Sequence, residues 1–334
     1  MSSRIGKFSK NTLTTIAGPI AVYLFMFALT NMTGNTGFGV GPDLRTIIYN
    51  MCYSGFIALA VSYNLTSGRL DFSVGSVLIL SLIIGGTLSK NMEAGPVELL
   101  LLVVAAGMVC GLVSGLFYII LRLPAIVTSL GVAMIFEAIA FKLNKSNGIR
   151  LIGKFDMLIW AKWPYNVLLM AVVLIILTYL LEYTRYGYNS KSLQTGQKNA
   201  VEVGINEKAN ALISYVIAGG LMACAGVLYI SQYGYIAPQT GLSSSSFIMG
   251  AFLPMFIGGA LAKYSNRNIG VFMGAIIQAS ISSGLIKLGI TSSMKTVVDG
   301  VIVLLFLVYV SNNYKFGLIK MYKEKKARAL AELK

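Results

Sequence analysis

Few side chains in this chain can do chemistry, and they fall in a few places. Glu137 and Asp299 are the acidic residues best placed inside long apolar runs. An ionisable group in lipid is costly, so each is a functional candidate. Asp299 follows Lys295 by four residues, which puts both on one helix face and allows them to pair. Glu137 lies near Lys142 and Lys145 and reads either as an interfacial ion-pair partner or as a solute contact. Asn64, Thr66, Ser67, Asp71 and Ser73 form a polar break between two apolar runs. A tight turn with Asp71 as N-cap of the next helix would account for that break. Gln278, Ser280, Ser282 and Ser283 make a later apolar run partly polar. Such groups can hold a sugar-sized ligand, or bond helix to helix.

Other chemistry is excluded by composition. There is no histidine, which removes imidazole catalysis, imidazole metal ligation and histidine proton relays. Cys52, Cys110 and Cys224 all lie in apolar runs and read as buried small hydrophobes. No Gly-x-x-x-x-Gly-Lys-Ser/Thr loop is present, so ATP cannot be held by that device. No catalytic constellation, metal site or cofactor is expected.

The elements that must position these residues are membrane helices. The chain has 334 residues, of which 56% are hydrophobic and 12% charged, with a mean hydropathy of +0.75. A soluble domain carries about 25% charged residues. Apolar runs fall near 12–30, 46–65, 72–89, 97–121, 124–142, 164–183, 209–231, 246–262, 268–287 and 296–311. A span takes about 20 residues, so the expectation is an all-α polytopic protein of about ten transmembrane helices. All of 1–334 forms one membrane domain. The net charge of +15 does not indicate nucleic acid, because the basic residues lie between spans and at the ends. Placing both termini in the cytoplasm puts 18 of the 27 basic residues inside, the bias expected of cytoplasmic loops. The cytoplasmic parts are then 1–11, 184–208 and a basic tail, 312–334, with a short helix. The first run has the look of a signal peptide but is long and lacks a clear cleavage site, so it reads as an uncleaved span.

Glycines at every fourth position, Gly107, Gly111 and Gly115 and again Gly270 and Gly274, mark close helix contacts. Ser114-Gly-Leu116 and Ser283-Gly-Leu285 are each followed by a glycine 17 residues after the serine, Gly131 and Gly300. This pattern fits an inverted repeat of spans three to five and eight to ten, an arrangement that transporters use to frame a solute route. Pro254, preceded by Gly241-Leu-Ser-Ser-Ser-Ser246, points to a short or broken eighth span. Irregular backbone at that depth must line a cavity or be buried in protein. The largest polar interruption, 185–208, is a landing place for a partner.

Four segments resemble the permease subunits of ATP-binding-cassette importers of the ribose, galactose and autoinducer-2 kind, which are grouped with branched-chain amino acid permeases. They are Leu65-Thr-Ser-Gly-Arg-Leu-Asp-Phe-Ser-Val-Gly-Ser76; Arg122-Leu-Pro-Ala-Ile-Val-Thr-Ser-Leu-Gly131; Asn199-Ala-Val-Glu-Val-Gly-Ile205 with Ile217 to Gly226; and Phe256-Ile-Gly-Gly259 through Gly284. Arg69 stands where that family usually has a second glycine, and Asn199 and Val201 replace its alanine and arginine. The resemblance implies import of a small polar solute, foremost a monosaccharide, across the bacterial cytoplasmic membrane. A nucleoside or another small solute is the alternative within the family, and an ion-coupled secondary transporter the alternative outside it. The implied partners are separate ATPase subunits, a second permease subunit (identical or not), an extracytoplasmic solute-binding protein and the bilayer. The ATPase would dock on a short helix at Asn199, Glu202, Gly204 and Ile205. The solute route would pass among Asn64, Asp71, Ser73, Thr128, Glu137, Gln278 and Asp299.

Overall fold

A computed structural model describes residues 2–34, 37–65, 68–262, 264–291, 293–308 and 312, with side chains from Thr15 onward. The helices follow the apolar runs, because in lipid a helix satisfies its own backbone groups. In chain order they are α1 (Ser2–Met32), α2 (Pro42–Leu65), α3 (Ser73–Asn91), α4 (Pro96–Leu121), α5 (Ala125–Lys142), α6 (Tyr165–Tyr183), α7 (Arg185–Thr195) and α8 (Gln197–Glu202). Then come α9 (Glu207–Tyr233), α10 (Ser246–Met249), α11 (Phe252–Leu261), α12 (Arg267–Lys287) and α13 (293–308). Among the described residues nine segments are long and apolar enough to cross a membrane, and α13 occupies the tenth expected position. Thr66 and Ser67 of the polar break, and the tail from 313, lie outside the described residues.

The eighth span is broken, as its proline and serines suggest. α10 ends at Met249, Gly250 and Ala251 interrupt the helix, and α11 resumes with Pro254 in its first turn. Two short strands, β1 (Ile149–Arg150) and β2 (Tyr235–Ile236), pair antiparallel and tie the segment after α5 to the segment after α9.

Small residues set the helix contacts. Gly107 lies against the Gly219 carbonyl, Gly111 against that of Tyr215, and Gly115 against the Leu212 and Tyr215 side chains, so α4 and α9 cross with almost no gap. Gly270 and Gly274 do the same for α12 against Gly258 and Pro254 of α11. The packing repeats itself with an offset of five spans. α3 packs on α4 as α11 packs on α12; α4 packs on α9 as α12 packs on α2; α3 packs on α9 as α11 packs on α2. This is the exchange that an inverted repeat requires.

A side chain at Gly111 would drive into the backbone of α9. Gly111→Leu is expected to destabilise the protein by about 3 kcal/mol, the upper end for overpacking. Gly131, with open space around its Cα, supplies the control Gly131→Leu. Thermal unfolding in detergent checks this, and equal midpoints for the two variants would refute the close crossing.

Candidate solute cavity and docking loop

Three clusters of polar side chains emerge. The first surrounds the start of α3. The Asp71 carboxylate accepts from the Ser73 amide at 2.8 Å, the Ser73 hydroxyl at 2.6 Å and the Asn64 side-chain amide at 3.0 Å. Asp71 thus serves the helix start from one residue before the capping position, which Phe72 occupies. The Ser73 hydroxyl also lies 3.2 Å from that of Ser114. Ser114 is seven residues short of the end of α4, about 10 Å along a helix, so α3 begins well inside the bundle. Two residues on, Gly75 touches the Ser244 carbonyl, and a Cβ there would collide with it.

Ser244 belongs to the second cluster, the chain between β2 and α10, which closes in a 3-10 turn over Ser243–Ser245. Its backbone is held by Glu137, whose carboxylate accepts from the Leu242 amide at 2.8 Å and the Ser244 amide at 2.9 Å. Leu242 has a φ of +65°, so the turn is tight. Glu137 is buried and, among the described residues, forms no ion pair with Lys142 or Lys145. Its place is that of a cap for the segment leading into the broken span.

Beyond this segment lies a cavity of about 250 Å³. Tyr49, Tyr53, Tyr229, Phe247, Gln278 and Lys295 are among its walls. Tyr49 and Tyr53 stack, with centroids 5.9 Å apart, and Tyr229 meets Phe247 edge-on at 5.7 Å. Gln278 donates to the Gly250 carbonyl, whose helical partner four residues on would be Pro254, which has no N–H. Its Oε1 and the Tyr49 hydroxyl are buried without a hydrogen-bond partner among the described residues. Buried polar atoms are seldom left unpaired, so two such atoms in one cavity mark a place for a hydroxyl-bearing solute or for water. A second cavity of about 320 Å³, lined by Arg45, Lys162 and Trp163, shares Tyr49 as a wall.

Of the route candidates, Gln278 lines this cavity. Asn64, Asp71 and Ser73 gather at the start of α3. The Thr128 hydroxyl turns back to the Pro124 carbonyl. Asp299 lies on α13 one turn beyond Lys295, but no ion pair joins them at contact distance among the described residues. The tyrosines were missed in the sequence. Their signal is the spacing Tyr49-x-x-x-Tyr53 and Tyr229-x-x-x-Tyr233, which puts each pair on one helix face.

The third cluster is the polar segment. α7 is anchored by Tyr186, 2.9 Å from the Ser214 hydroxyl, and by Ser190, which donates to Asn210. Burial pushes the Tyr186 hydroxyl above its ordinary pKa, against the opposing pull of Ser214 and Ser190. α8 stands out from the bundle on the single buried residue Ala200. Asn199, Glu202 and Gly204 are exposed, and Ile205 is half-buried. Gly204 has a φ of +95°; its amide reaches the Val201 carbonyl at 2.9 Å, and the Ile205 amide reaches that of Ala200 at 3.1 Å. These two bonds make a Schellman ending, which favours glycine. Beside it Val203 is 84% exposed, an apolar knob that the sequence reading passed over.

A polytopic helix bundle with a broken span, an aromatic-lined cavity and an exposed short helix between two spans is the architecture of a membrane transport subunit. Residues 44–307 match the model of the branched-chain amino acid transport system permease component, and the chain belongs to that family. The chain is similar to the autoinducer 2 import system permease protein LsrC of Photorhabdus luminescens, 26% identical over 76% of this chain and 77% of the relative. It is also similar to the ribose import permease protein RbsC of Bacillus subtilis, 24% identical over 84% and 88%, and to RbsC of Escherichia coli K12, 24% over 89% and 94%. A solved chain assigned to the metal-chelate type of ABC transporter, in an inward-facing conformation, shares the fold with a TM-score of 0.54, 14% identity and coverage of 89% and 98%.

Removing the Glu137 carboxylate strands the buried Ser244 amide and the half-buried Leu242 amide, at about 1–3 kcal/mol for each group left fully unsatisfied. Glu137→Ala is expected to lower the unfolding midpoint in detergent more than Glu137→Gln, which keeps one acceptor oxygen. Equal midpoints for wild type and the Ala variant would show that the cap is dispensable.

Proposed function

We propose that this chain is the membrane-spanning subunit of an ATP-binding-cassette importer and moves a monosaccharide-sized, hydroxyl-bearing solute into a bacterial cell. The observation that carries this reading is the family match over residues 44–307. The named relatives import ribose and autoinducer 2, which favours a small polar cargo. The cavity supports the same class: its tyrosine rings offer faces for the C–H side of a sugar, and Gln278 and Tyr49 offer free hydrogen-bonding atoms. At about 250 Å³ it falls below the roughly 300–1,000 Å³ of sites for drug-sized ligands. That favours a single ring over a nucleoside.

In this proposal a separate ATPase subunit hydrolyses ATP and docks on α8 through Asn199, Glu202, Gly204 and Ile205, with Val203 as the apolar contact. A second permease subunit completes the assembly, and a solute-binding protein delivers cargo at the opposite face. Both termini lie in the cytoplasm, on the side of α7 and α8. α8 is too short to be stable alone, so its protrusion on one buried residue suits a surface covered by a partner.

Uptake of labelled ribose and galactose into vesicles, with and without the ATPase subunit, tests the energy source. ATP-dependent accumulation is expected, and uptake driven by an ion gradient alone would overturn the importer reading. Gly204→Trp forces a left-handed backbone on a residue with a Cβ, at about 1–2 kcal/mol, and adds bulk beside the knob. It and Val203→Asp are expected to lose the ATPase on co-purification while membrane insertion is unchanged. Normal co-purification of both would refute the docking assignment.

A further inference from the structure

The side chains between α8 and the start of α3 converge on one oxygen atom. Oε1 of Glu207, the first residue of α9, accepts from the side-chain amide of Gln197, the first residue of α8, at 2.6 Å. The same Oε1 lies 3.8 Å from Nη1 of Arg69. Arg69 is 3% exposed and rests 5.9 Å from the Tyr118 ring. Its Nε and Nη1 are buried and have no hydrogen-bond partner among the described residues. The Arg69 backbone is held in turn, since its amide donates to the Asn64 carbonyl at 3.0 Å. The Asn64 side chain holds Asp71, which serves the first amide of α3.

A settled buried ion pair looks different. Its desolvation is offset only when the guanidinium is well bonded, and charge-assisted N–H···O bonds close to about 2.7–2.9 Å. Here the cation is buried, two of its nitrogens lack hydrogen bonds among the described residues, and the nearest carboxylate oxygen stops about 1 Å short of Nη1 while bound to Gln197. A carboxylate oxygen can accept two hydrogen bonds, so Gln197 does not exclude Arg69 by occupancy; the structure shows the arrangement in which Glu207 is bonded to Gln197 and stands off from Arg69. A short displacement of α8 that withdraws Gln197 leaves that oxygen to Arg69. Two discrete pairings of one group are the kind of element that turns a small shift into a switch.

We propose that Glu207 passes from Gln197 to Arg69 during the transport cycle, and that Arg69 is the positioning residue that carries motion of the docking helix to the turn before α3. This rests on the reading of α8 as the ATPase contact. Arg69 touches no solute; it acts through the Asn64–Asp71 turn.

The test uses the permease purified with its ATPase subunit and reads the ATP hydrolysis rate of the assembled complex. Gln197→Ala, an exposed change that spares the core, frees Glu207 and is expected to raise the rate several-fold; Arg69→Met in the same background is expected to cancel that rise. A rise that persists with Arg69→Met would overturn the proposal. Arg69→Met, Glu207→Ala and the double variant are expected to alter the rate by the same factor, whereas independent, multiplying effects would count against a shared step. If the ATPase fails to co-purify with the wild-type permease, the docking reading falls; if it co-purifies and Gln197→Ala leaves the rate unchanged, the switch alone falls.

Discussion

The carboxylate of Glu137 holds the amides of Leu242 and Ser244, and much of the bundle's interior depends on that. Lipid supplies no hydrogen bonds, so backbone that leaves the helical path inside a membrane protein must find partners within the protein. The chain leaves it between β2 and the 3-10 turn before α10, and at Gly250 and Ala251 the helical hydrogen-bond ladder lapses again, since Pro254 offers no N–H to the Gly250 carbonyl. Glu137 serves the first departure and Gln278 the second. Gly75 has no side chain to block the approach, and Asp71 secures the start of α3 on which Ser244 rests. Once these groups are in place, α10 is fixed, and Phe247, Gly250 and Ala251 become a wall of the cavity. A cavity walled in part by a broken helix is thus a consequence of solving a backbone problem with side chains from other spans.

Residue size then decides where the bundle is closed and where it is open. On α9, Gly219 sits at the crossing with α4, and nothing fits between them. Farther along the same helix, Tyr229 and Tyr233 pack on each other and line the cavity. α12 shows the same division, with Gly270 and Gly274 pressed against α11 and Gln278 and Ser282 facing open volume. Because association of helices in lipid rests on close packing, the glycine crossings hold the helices firmly enough for tyrosine-lined space to persist between them.

The spans were legible because apolar runs of that length have one solution in a membrane. Their ends were less so: α1 starts at Ser2 and α2 at Pro42, since a helix continues past the limit of its apolar residues. The break in the eighth span could be read from Pro254 and the serines before it. Asp71 could be read as a helix-start residue, because a carboxylate ahead of an apolar run has local meaning. Glu137 could not, because its partners lie 105 and 107 residues away and are backbone amides, which leave no mark on sequence. The cavity was half visible: Gln278 stood out as polar, while Tyr49 and Tyr229 were hidden among 18 tyrosines in an aromatic-rich chain. Arg69 was visible only as a departure from pattern, and its burial against Tyr118 required the fold.

α9 joins the end of the bundle that carries α8 to the cavity. Its first residue, Glu207, contacts Gln197 of α8, and its last turn contains Tyr233 of the cavity wall. The helix has 27 residues, a rod of about 40 Å. Its closest contact with α4, Gly219 against Gly107, lies near its middle. The helix meets α4 not only at Gly219 but also at Tyr215 and Leu212, and beyond the crossing its Val227, Leu228 and Ile230 are fully buried. It is therefore packed along its length, and the glycine crossing lets one rigid element link an exposed helix at one end of the bundle to an aromatic cavity toward the other.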